Sequence, residues 1–88
     1  MLKATTTIIN KAGLHARAAA KLVEITGGLE SAIQIGHDKM VDGKSILSLM
    51  MLAAVQGTEI SIEVDGADEE RAMSAVLKLI ENRFDEAE

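Results

Sequence analysis

The fold is decided by the stretch Gly13-Leu14-His15-Ala16-Arg17 and by the run of three alanines, residues 18–20, that follows it. A glycine interrupts regular structure, and the alanine-rich run then strongly favours a helix. This order predicts that His15 lies at or just before the first turn of that helix. Backbone N–H groups have no partner there, and the helix dipole is positive. Anions bind well at such a position.

His15 and Arg17 are the candidate catalytic residues. The positive field of the helix start disfavours a further positive charge and so favours the neutral, nucleophilic form of the imidazole. Arg17 adds a guanidinium within reach of oxygen atoms that arrive there. The pair predicts an imidazole that accepts and holds a phosphoryl group, although an isolated histidine beside a glycine is more often an ordinary turn or cap residue.

The composition predicts one small domain, residues 1–88, with an aliphatic core. Hydrophobic residues make up 48% of the chain, and Phe84 is the only aromatic residue. The absence of cysteine excludes disulfides and thiolate metal sites. With only two histidines, no metal site or other cofactor is expected. The second of them, His37, is expected to lie in a hairpin turn without a chemical role.

Charge and hydropathy limit the classes of partner. The net charge of -5 argues against nucleic acid. No apolar run is long enough to span a bilayer and the N-terminus has no signal-peptide pattern, so we expect a cytoplasmic protein without membrane insertion. Residues 1–27 hold four Lys or Arg and one Glu (net +3), whereas residues 59–88 hold three Lys or Arg and ten Asp or Glu (net -7). We expect the positive half to attract an anionic donor or acidic protein, and residues 85–88 to fray.

Hydrophobic periodicity predicts seven elements in the order β-α-β-β-α-β-α. Strands are predicted at residues 2–9, 31–36, around 40–41 and 58–65, and helices at about 16–26, from Ser45 as N-cap to about 53, and from residues 68–70 onward. The side chains predicted to face the core from the first and last helices are Ala19, Leu22, Val23, Ala72, Met73, Val76, Leu77 and Ile80. Clean alternation in the last strand favours an antiparallel sheet with one buried face. The prediction is an α+β open-faced sandwich, a four-stranded antiparallel sheet with three helices on one face.

The second helix is apolar almost all round, although a short helix over one sheet face can bury only one side. A fully buried helix is one interpretation. We favour another, in which Leu49 and Leu52 face the core and four apolar side chains stay partly exposed beside His15. Flexible methionines suit a surface that has to fit several partners. The four exposed residues are predicted to be Ile46, Leu47, Met50 and Met51.

Two segments of the chain resemble those of one protein family. The segment Asn10–Arg17 closely resembles the active-site segment of the HPr family, the histidine-containing phosphocarriers of the bacterial phosphoenolpyruvate-dependent sugar phosphotransferase system. The segment Asp42–Met50 resembles the regulatory-serine region of the same family at the matching distance. Family members often have proline after the arginine, where this chain has Ala18, and alanine is also a good helix former. The resemblance extends over essentially the whole chain.

The resemblance implies a function and a set of partners. It implies that His15 receives a phosphoryl group on Nδ1 from phosphorylated enzyme I and passes it to IIA-type proteins, while Arg17 neutralises phosphoryl oxygens. It implies that Ser45 is phosphorylated where a dedicated HPr kinase/phosphorylase exists. The protein is then itself a covalent substrate and a monomer, not a turnover enzyme, and needs no cofactor. The residues implied to contact partners are Leu14, Ala16, Ala20, Ile46, Leu47, Met50 and Met51.

Other functions are consistent with the same residues. Within the family, the nitrogen-related branch is an alternative, as is a purely regulatory role controlled at Ser45. Outside the family, a small α+β regulatory module can use His15 and Arg17 to bind an anion without covalent chemistry. A covalent, acid-labile adduct on the chain is the observation that separates a carrier from such a module.

Overall fold

The structure, a computed structural model, describes all 88 residues. The chain forms four strands, β1 (Leu2–Thr7), β2 (Ala32–Gly36), β3 (Met40–Asp42) and β4 (Glu59–Asp65). Its helices are α1 (Ala16–Thr26), α2 (Ile46–Met51) and α3 (Glu69–Glu81), and a short 3-10 turn, Arg83–Asp85, follows α3. The predicted order of seven elements is confirmed. None of the helices has the length and apolar composition that a membrane crossing requires.

The four strands form one antiparallel sheet in the order β1-β4-β2-β3. The interior strand β4 alternates as predicted, since Ile60, Ile62 and Val64 are buried while Glu59 and Asp65 at its ends are exposed. The buried side chains of the sheet and of the three helices join in one hydrophobic core. The predicted open-faced sandwich is therefore confirmed.

β1 and α2 each end two residues earlier than predicted. After β1, the N–H of Ile8 still donates to the carbonyl of Thr58 at 2.9 Å, but this bond belongs to the irregular loop before β4. The helix α2 stops because Ala53 takes a left-handed conformation with φ of 52°. A right-handed helix cannot continue through such a residue.

The helices bury the predicted faces with small differences. On α1, Val23 is only partly buried, and the fully buried side of the helix includes Thr26. On α3, Leu77 packs against the core but is only partly buried, while Leu79, which was not predicted, is buried. The reason is helical spacing, because Leu79 lies three positions after the buried Val76 and shares its face.

The last residues do not fray, which corrects the expectation for residues 85–88. Arg83, Phe84 and Asp85 have positive φ angles of 56°, 53° and 62°, so the chain makes a sharp left-handed turn after α3. Such a conformation is costly for residues other than glycine. The turn persists because Phe84 is 1% exposed and packs in the core. It returns the chain to the start of α1, where the carbonyl of Glu88 accepts a hydrogen bond from the N–H of Lys11.

Asp68 ties the start of α3 to the segment before β2. It occupies the N-cap position of α3 but makes no cap hydrogen bond. Its carboxylate instead accepts from the N–H groups of Glu30 and Ser31, both at 2.9 Å, and from the hydroxyl of Ser31. The hydroxyl of Ser31 and the N–H of Glu30 hold the pKa of Asp68 well below its usual range.

Candidate functional site

The loop before α1 is held in one conformation by several close contacts. Gly13 has a φ of 72°, and a Cβ atom at this position would lie 2.5 Å from the carbonyl oxygen of Ala54. The next residue, Leu14, donates its N–H to that same carbonyl at 2.8 Å. Its side chain is 4% exposed. Leu14 is therefore a core anchor of the loop, and its contact with a partner stays a prediction.

His15 is the N-cap residue of α1, as its predicted position at the helix start requires. Its backbone is extended, and its side chain is 33% exposed. Nδ1 accepts a hydrogen bond from the backbone N–H of Arg17 at 3.3 Å, and Nε2 lies 2.6 Å from Oε2 of Glu86. Each ring nitrogen therefore has its own partner, one at the helix start and one on the chain end.

The first turn of α1 offers donors for an anion. The first backbone bond into the helix runs from the N–H of Ala19 to the carbonyl of His15 at 2.8 Å, so earlier N–H groups have no helical acceptor. The Arg17 side chain is exposed and makes no salt bridge or hydrogen bond within the protein. Its guanidinium is thus available to oxygen atoms bound beside His15.

Glu86 is a site residue that the sequence did not predict. Its Oε1 accepts a hydrogen bond at 2.9 Å from Nδ2 of Asn10, a fully buried side chain that also donates to the carbonyl of Gly13 at 2.8 Å. The pKa of Glu86 is lowered by the hydrogen bond from Asn10 first, and then by the contact and charge of His15 and the charge of Arg17, while partial burial opposes the shift. Glu86 therefore faces His15 as a carboxylate.

The acidic chain end covers the basic residues of the N-terminal segment. Lys11 pairs with Glu88 at 3.8 Å, and Lys21 pairs with Asp85 at 3.6 Å. The acidic end, which is distant from His15 in the sequence, therefore lies close to it in space. The carboxylate beside His15 also opposes the positive field of the helix start. A hollow beside His15 is lined by both sets of residues, namely Lys11, Arg17, Lys21, Asp85, Glu86 and Glu88.

The predicted N-cap of α2 and the predicted division of its apolar side chains are confirmed. Ser45 is its N-cap, and the hydroxyl accepts from the N–H of Ser48 at 3.2 Å. Leu49 and Leu52 are in the core, whereas four other apolar side chains of the helix are exposed, which excludes the alternative of a helix buried on all sides. The exposed apolar residues are Ile46 (41%), Leu47 (69%), Met50 (41%) and Met51 (73%). These four residues are called the α2 apolar face below.

The α2 apolar face and the start of α1 belong to neighbouring helices, which pack against each other. On α1, Ala16 is exposed and Ala20 is half-buried, so both reach the surface as expected of partner-binding residues. Val55, in the loop after α2, is 64% exposed, and its exposure was not predicted from the sequence. His15 therefore has the charged chain end beside it, and the helix that it begins packs against the helix that carries the α2 apolar face.

His37 lies in the β2–β3 hairpin turn, as predicted, and has a structural contact. Its Nε2 lies 3.0 Å from the carbonyl oxygen of Leu52 at the end of α2, and its Nδ1 lies 3.4 Å from Oδ2 of Asp38. The histidine thus links the hairpin turn to the helix. No group of three or more His, Cys, Asp or Glu side chains is arranged to hold a metal ion.

Comparison with known proteins finds several relatives of this chain. A family model described as "PTS HPr component phosphorylation site" matches residues 2–82. Phosphocarrier protein HPr of Cupriavidus necator is 52% identical over 89 aligned positions, which cover 100% of both chains. The protein of the same name from Pseudomonas aeruginosa is 50% identical over 84 positions, 93% of both chains. The crystal structure of HPr-C-His from Thermoanaerobacter tengcongensis covers 100% of both chains with a TM-score of 0.95 and 40% identity.

Proposed function

The chain belongs to the HPr family of phosphotransferase-system phosphocarriers, and from this membership we propose that His15 accepts a phosphoryl group from phosphorylated enzyme I and passes it to IIA-type proteins. The observation that supports this proposal is the placement of Nδ1. It accepts from the N–H of Arg17, so its lone pair faces the start of α1. A phosphoryl group on this atom lies where a helix favours negative charge.

Arg17 supplies the second source of positive charge. Its guanidinium has no partner in the protein, and phosphoryl oxygens are the acceptors that its planar donors fit best. Stabilisation of charge and positioning account for most of the catalysis in phosphoryl transfer. The protein is in this view a covalent substrate that is loaded and unloaded, and it needs neither a metal nor a nucleotide of its own.

The α2 apolar face, together with Ala16 and Ala20, is proposed as the surface that contacts both partners. It is exposed, and it lies on the helix packed against α1, whose first turn carries His15. Methionine side chains adapt to differently shaped partners, which suits a carrier that has to dock on a donor and on several acceptors.

Ser45 is proposed as a regulatory phosphorylation site where the organism has the kinase. The residue begins α2 and directly precedes the α2 apolar face, so a phosphate on its hydroxyl would place about two negative charges beside that surface. The helix start tolerates the charge because the dipole there is positive. The surface would lose its apolar character while the fold remains.

The test is a mass measurement after the chain has been incubated with enzyme I and phosphoenolpyruvate. We expect one acid-labile phosphoryl adduct on the wild-type chain and on His37→Ala, and none on His15→Ala. His37→Ala is the matched control, because it removes the only other histidine. An adduct on His15→Ala would move the acceptor elsewhere. No adduct on the wild-type chain, together with reversible phosphate binding, would favour the anion-binding module.

A further inference from the structure

The contacts of the His15 ring assign a position to its proton. A backbone N–H can only donate, so Nδ1 of His15 takes part in the contact with Arg17 through its lone pair. In a neutral imidazole the single proton is then on Nε2. That nitrogen lies 2.6 Å from the carboxylate of Glu86, which can only accept while it is ionised. The three groups are therefore consistent with one tautomer of His15.

We propose that Glu86 is a positioning residue for phosphoryl transfer, and that its carboxylate holds the His15 proton on Nε2 so that the lone pair of Nδ1 faces the incoming phosphorus. This inference rests on the proposed function of His15. Glu86 itself touches neither the phosphoryl group nor the donor. It acts through the imidazole ring, because it contacts Nε2 whereas the reacting atom is Nδ1.

The transfer step balances without a separate acid or base. The lone pair of Nδ1 gives up its hydrogen bond from the N–H of Arg17 and forms a bond to phosphorus. The bond between phosphorus and the donor atom breaks at the same time, and its electron pair returns to the donor. The proton stays on Nε2 throughout. The positive charge that develops on the ring is stabilised by the carboxylate of Glu86 at 2.6 Å. In the Ser-His-Asp triad, a carboxylate that is hydrogen-bonded to a histidine stabilises the positive charge of the ring in the same way.

The surroundings of Glu86 suit this role. Its two oxygens have different donors, because Oε1 accepts from buried Asn10 and Oε2 from His15. The hydrogen bond from Asn10 keeps the Glu86 carboxylate ionised, because it is the largest cause of the lowered pKa of Glu86. The Glu86 side chain is 16% exposed, so water competes little for its contact with His15. A solvated glutamate at a frayed chain end would have none of these features.

The experiment compares Glu86→Gln with Glu88→Gln in the full chain. Both variants remove one negative charge from the chain end, but only the first changes the partner of His15. The amide at position 86 has one oxygen where the carboxylate offers two, so Asn10 and His15 compete for it. Glu88 is exposed and pairs only with Lys11, which makes its variant the matched control.

Two measurements are made on each variant. Long-range proton–nitrogen NMR spectra of the His15 ring, at a pH where the imidazole is neutral, report which nitrogen carries the proton. Rapid-quench measurements give the rate at which the chain accepts a phosphoryl group from phosphorylated enzyme I. We expect the wild-type chain and Glu88→Gln to hold the proton on Nε2. For Glu86→Gln we expect a share of the Nδ1–H form and acceptance slower by about tenfold or more, by analogy with the loss of a carboxylate that orients a metal-binding histidine.

The proposal is overturned if the His15 ring has the same tautomer in Glu86→Gln as in Glu88→Gln. It is also overturned if the two variants accept the phosphoryl group at equal rates. The NMR measurement involves no donor, so it stands even if the proposed function fails. Wild-type protein that takes no phosphoryl group from enzyme I would refute the function of His15. Wild-type acceptance with no difference between the two variants would refute only the role of Glu86.

Discussion

Nε2 of His15 lies 2.6 Å from Oε2 of Glu86, although 71 positions separate the two residues along the chain. The contact exists because the left-handed turn at residues 83–85 reverses the chain after α3, and because Phe84 fastens that turn to the core. The surroundings of the proposed phosphoryl acceptor therefore depend on a side chain that is buried in the core.

Phe84→Ala tests this anchor. We expect it to lower the free energy of unfolding by about 3 to 5 kcal/mol, because it removes a large side chain from a core with no other aromatic residue. Urea denaturation gives the value. Val55→Ala removes a side chain that is 64% exposed and is the control, with an expected change within about 0.5 kcal/mol. Equal stabilities for the two variants would contradict the assigned role of Phe84.

Arg17→Ala should slow the loading of His15 without preventing it. A hydrogen bond to a charged group contributes about 1.5 to 3 kcal/mol, which corresponds to a rate roughly ten to a hundred times lower. The N–H groups of the first turn of α1 remain, so the adduct still forms. The measurement is the rapid-quench rate with enzyme I, and Arg71→Ala, an exposed arginine at the other end of the chain, is the control. A rate like that of the control would mean that Arg17 is only solvated.

Ser45→Ala and Ser45→Asp separate the structural role of this residue from its regulatory role. Alanine removes the cap of α2 and should cost about 1 kcal/mol of stability. Aspartate also accepts the N–H bond and suits the helix dipole, so we expect it to be at least as stable as the alanine variant. It should nevertheless be the poorer phosphoryl acceptor, because it puts a charge beside the α2 apolar face.

The control for this comparison is Ser74→Asp, which adds the same charge to an exposed position on α3. Thermal unfolding and rapid-quench rates are measured for all three variants with the same enzyme I at one salt concentration. The regulatory proposal fails if Ser45→Asp and Ser45→Ala accept the phosphoryl group at equal rates.

Asp68→Asn tests the tie between α3 and the segment before β2. Folding lowers the pKa of Asp68, so its carboxylate stabilises the fold above the ordinary value of 3.8, and this stabilisation is lost as the pH falls through the lower value in the folded state. We therefore expect the variant to be less stable than wild type at pH 7, with a gap that narrows in strong acid. Urea denaturation at several pH values measures it. Glu70→Gln, which removes the charge of an exposed carboxylate two positions away, is the control.

Local patterns made most of the fold and part of the site predictable. The alternation in β4, the cap at Ser45 and the glycine before His15 each involve residues a few positions apart, so the sequence carries them directly. The exposure of the α2 apolar face followed from geometry, since a six-residue helix on one sheet face cannot bury every side. His15 and Arg17 were identified because both lie within one short motif.

The contacts of Glu86 and Asp68 were not predictable in the same way. Each joins segments far apart in the chain, and each residue lies in an acidic run that is typical of solvated surface. The left-handed turn at residues 83–85, which directly precedes Glu86, contains no glycine, although all three of its residues have positive φ angles. The one available signal was Phe84, an isolated aromatic residue in an otherwise acidic segment, which indicates a buried anchor.

The position of residue 88 has a practical consequence for anyone who labels this protein. The carbonyl of Glu88 accepts a hydrogen bond from the N–H of Lys11, which lies four positions before His15. A purification tag or fluorophore attached at Glu88 would therefore start beside the loop that leads to His15. Met1 lies at the opposite end of β1, where its ammonium group meets Asp65 and Glu69 at 3.6 Å and 3.4 Å. A strand of six residues spans roughly 20 Å. A tag at Met1 therefore starts at the far end of that strand, whereas one at Glu88 starts beside the loop that leads to His15.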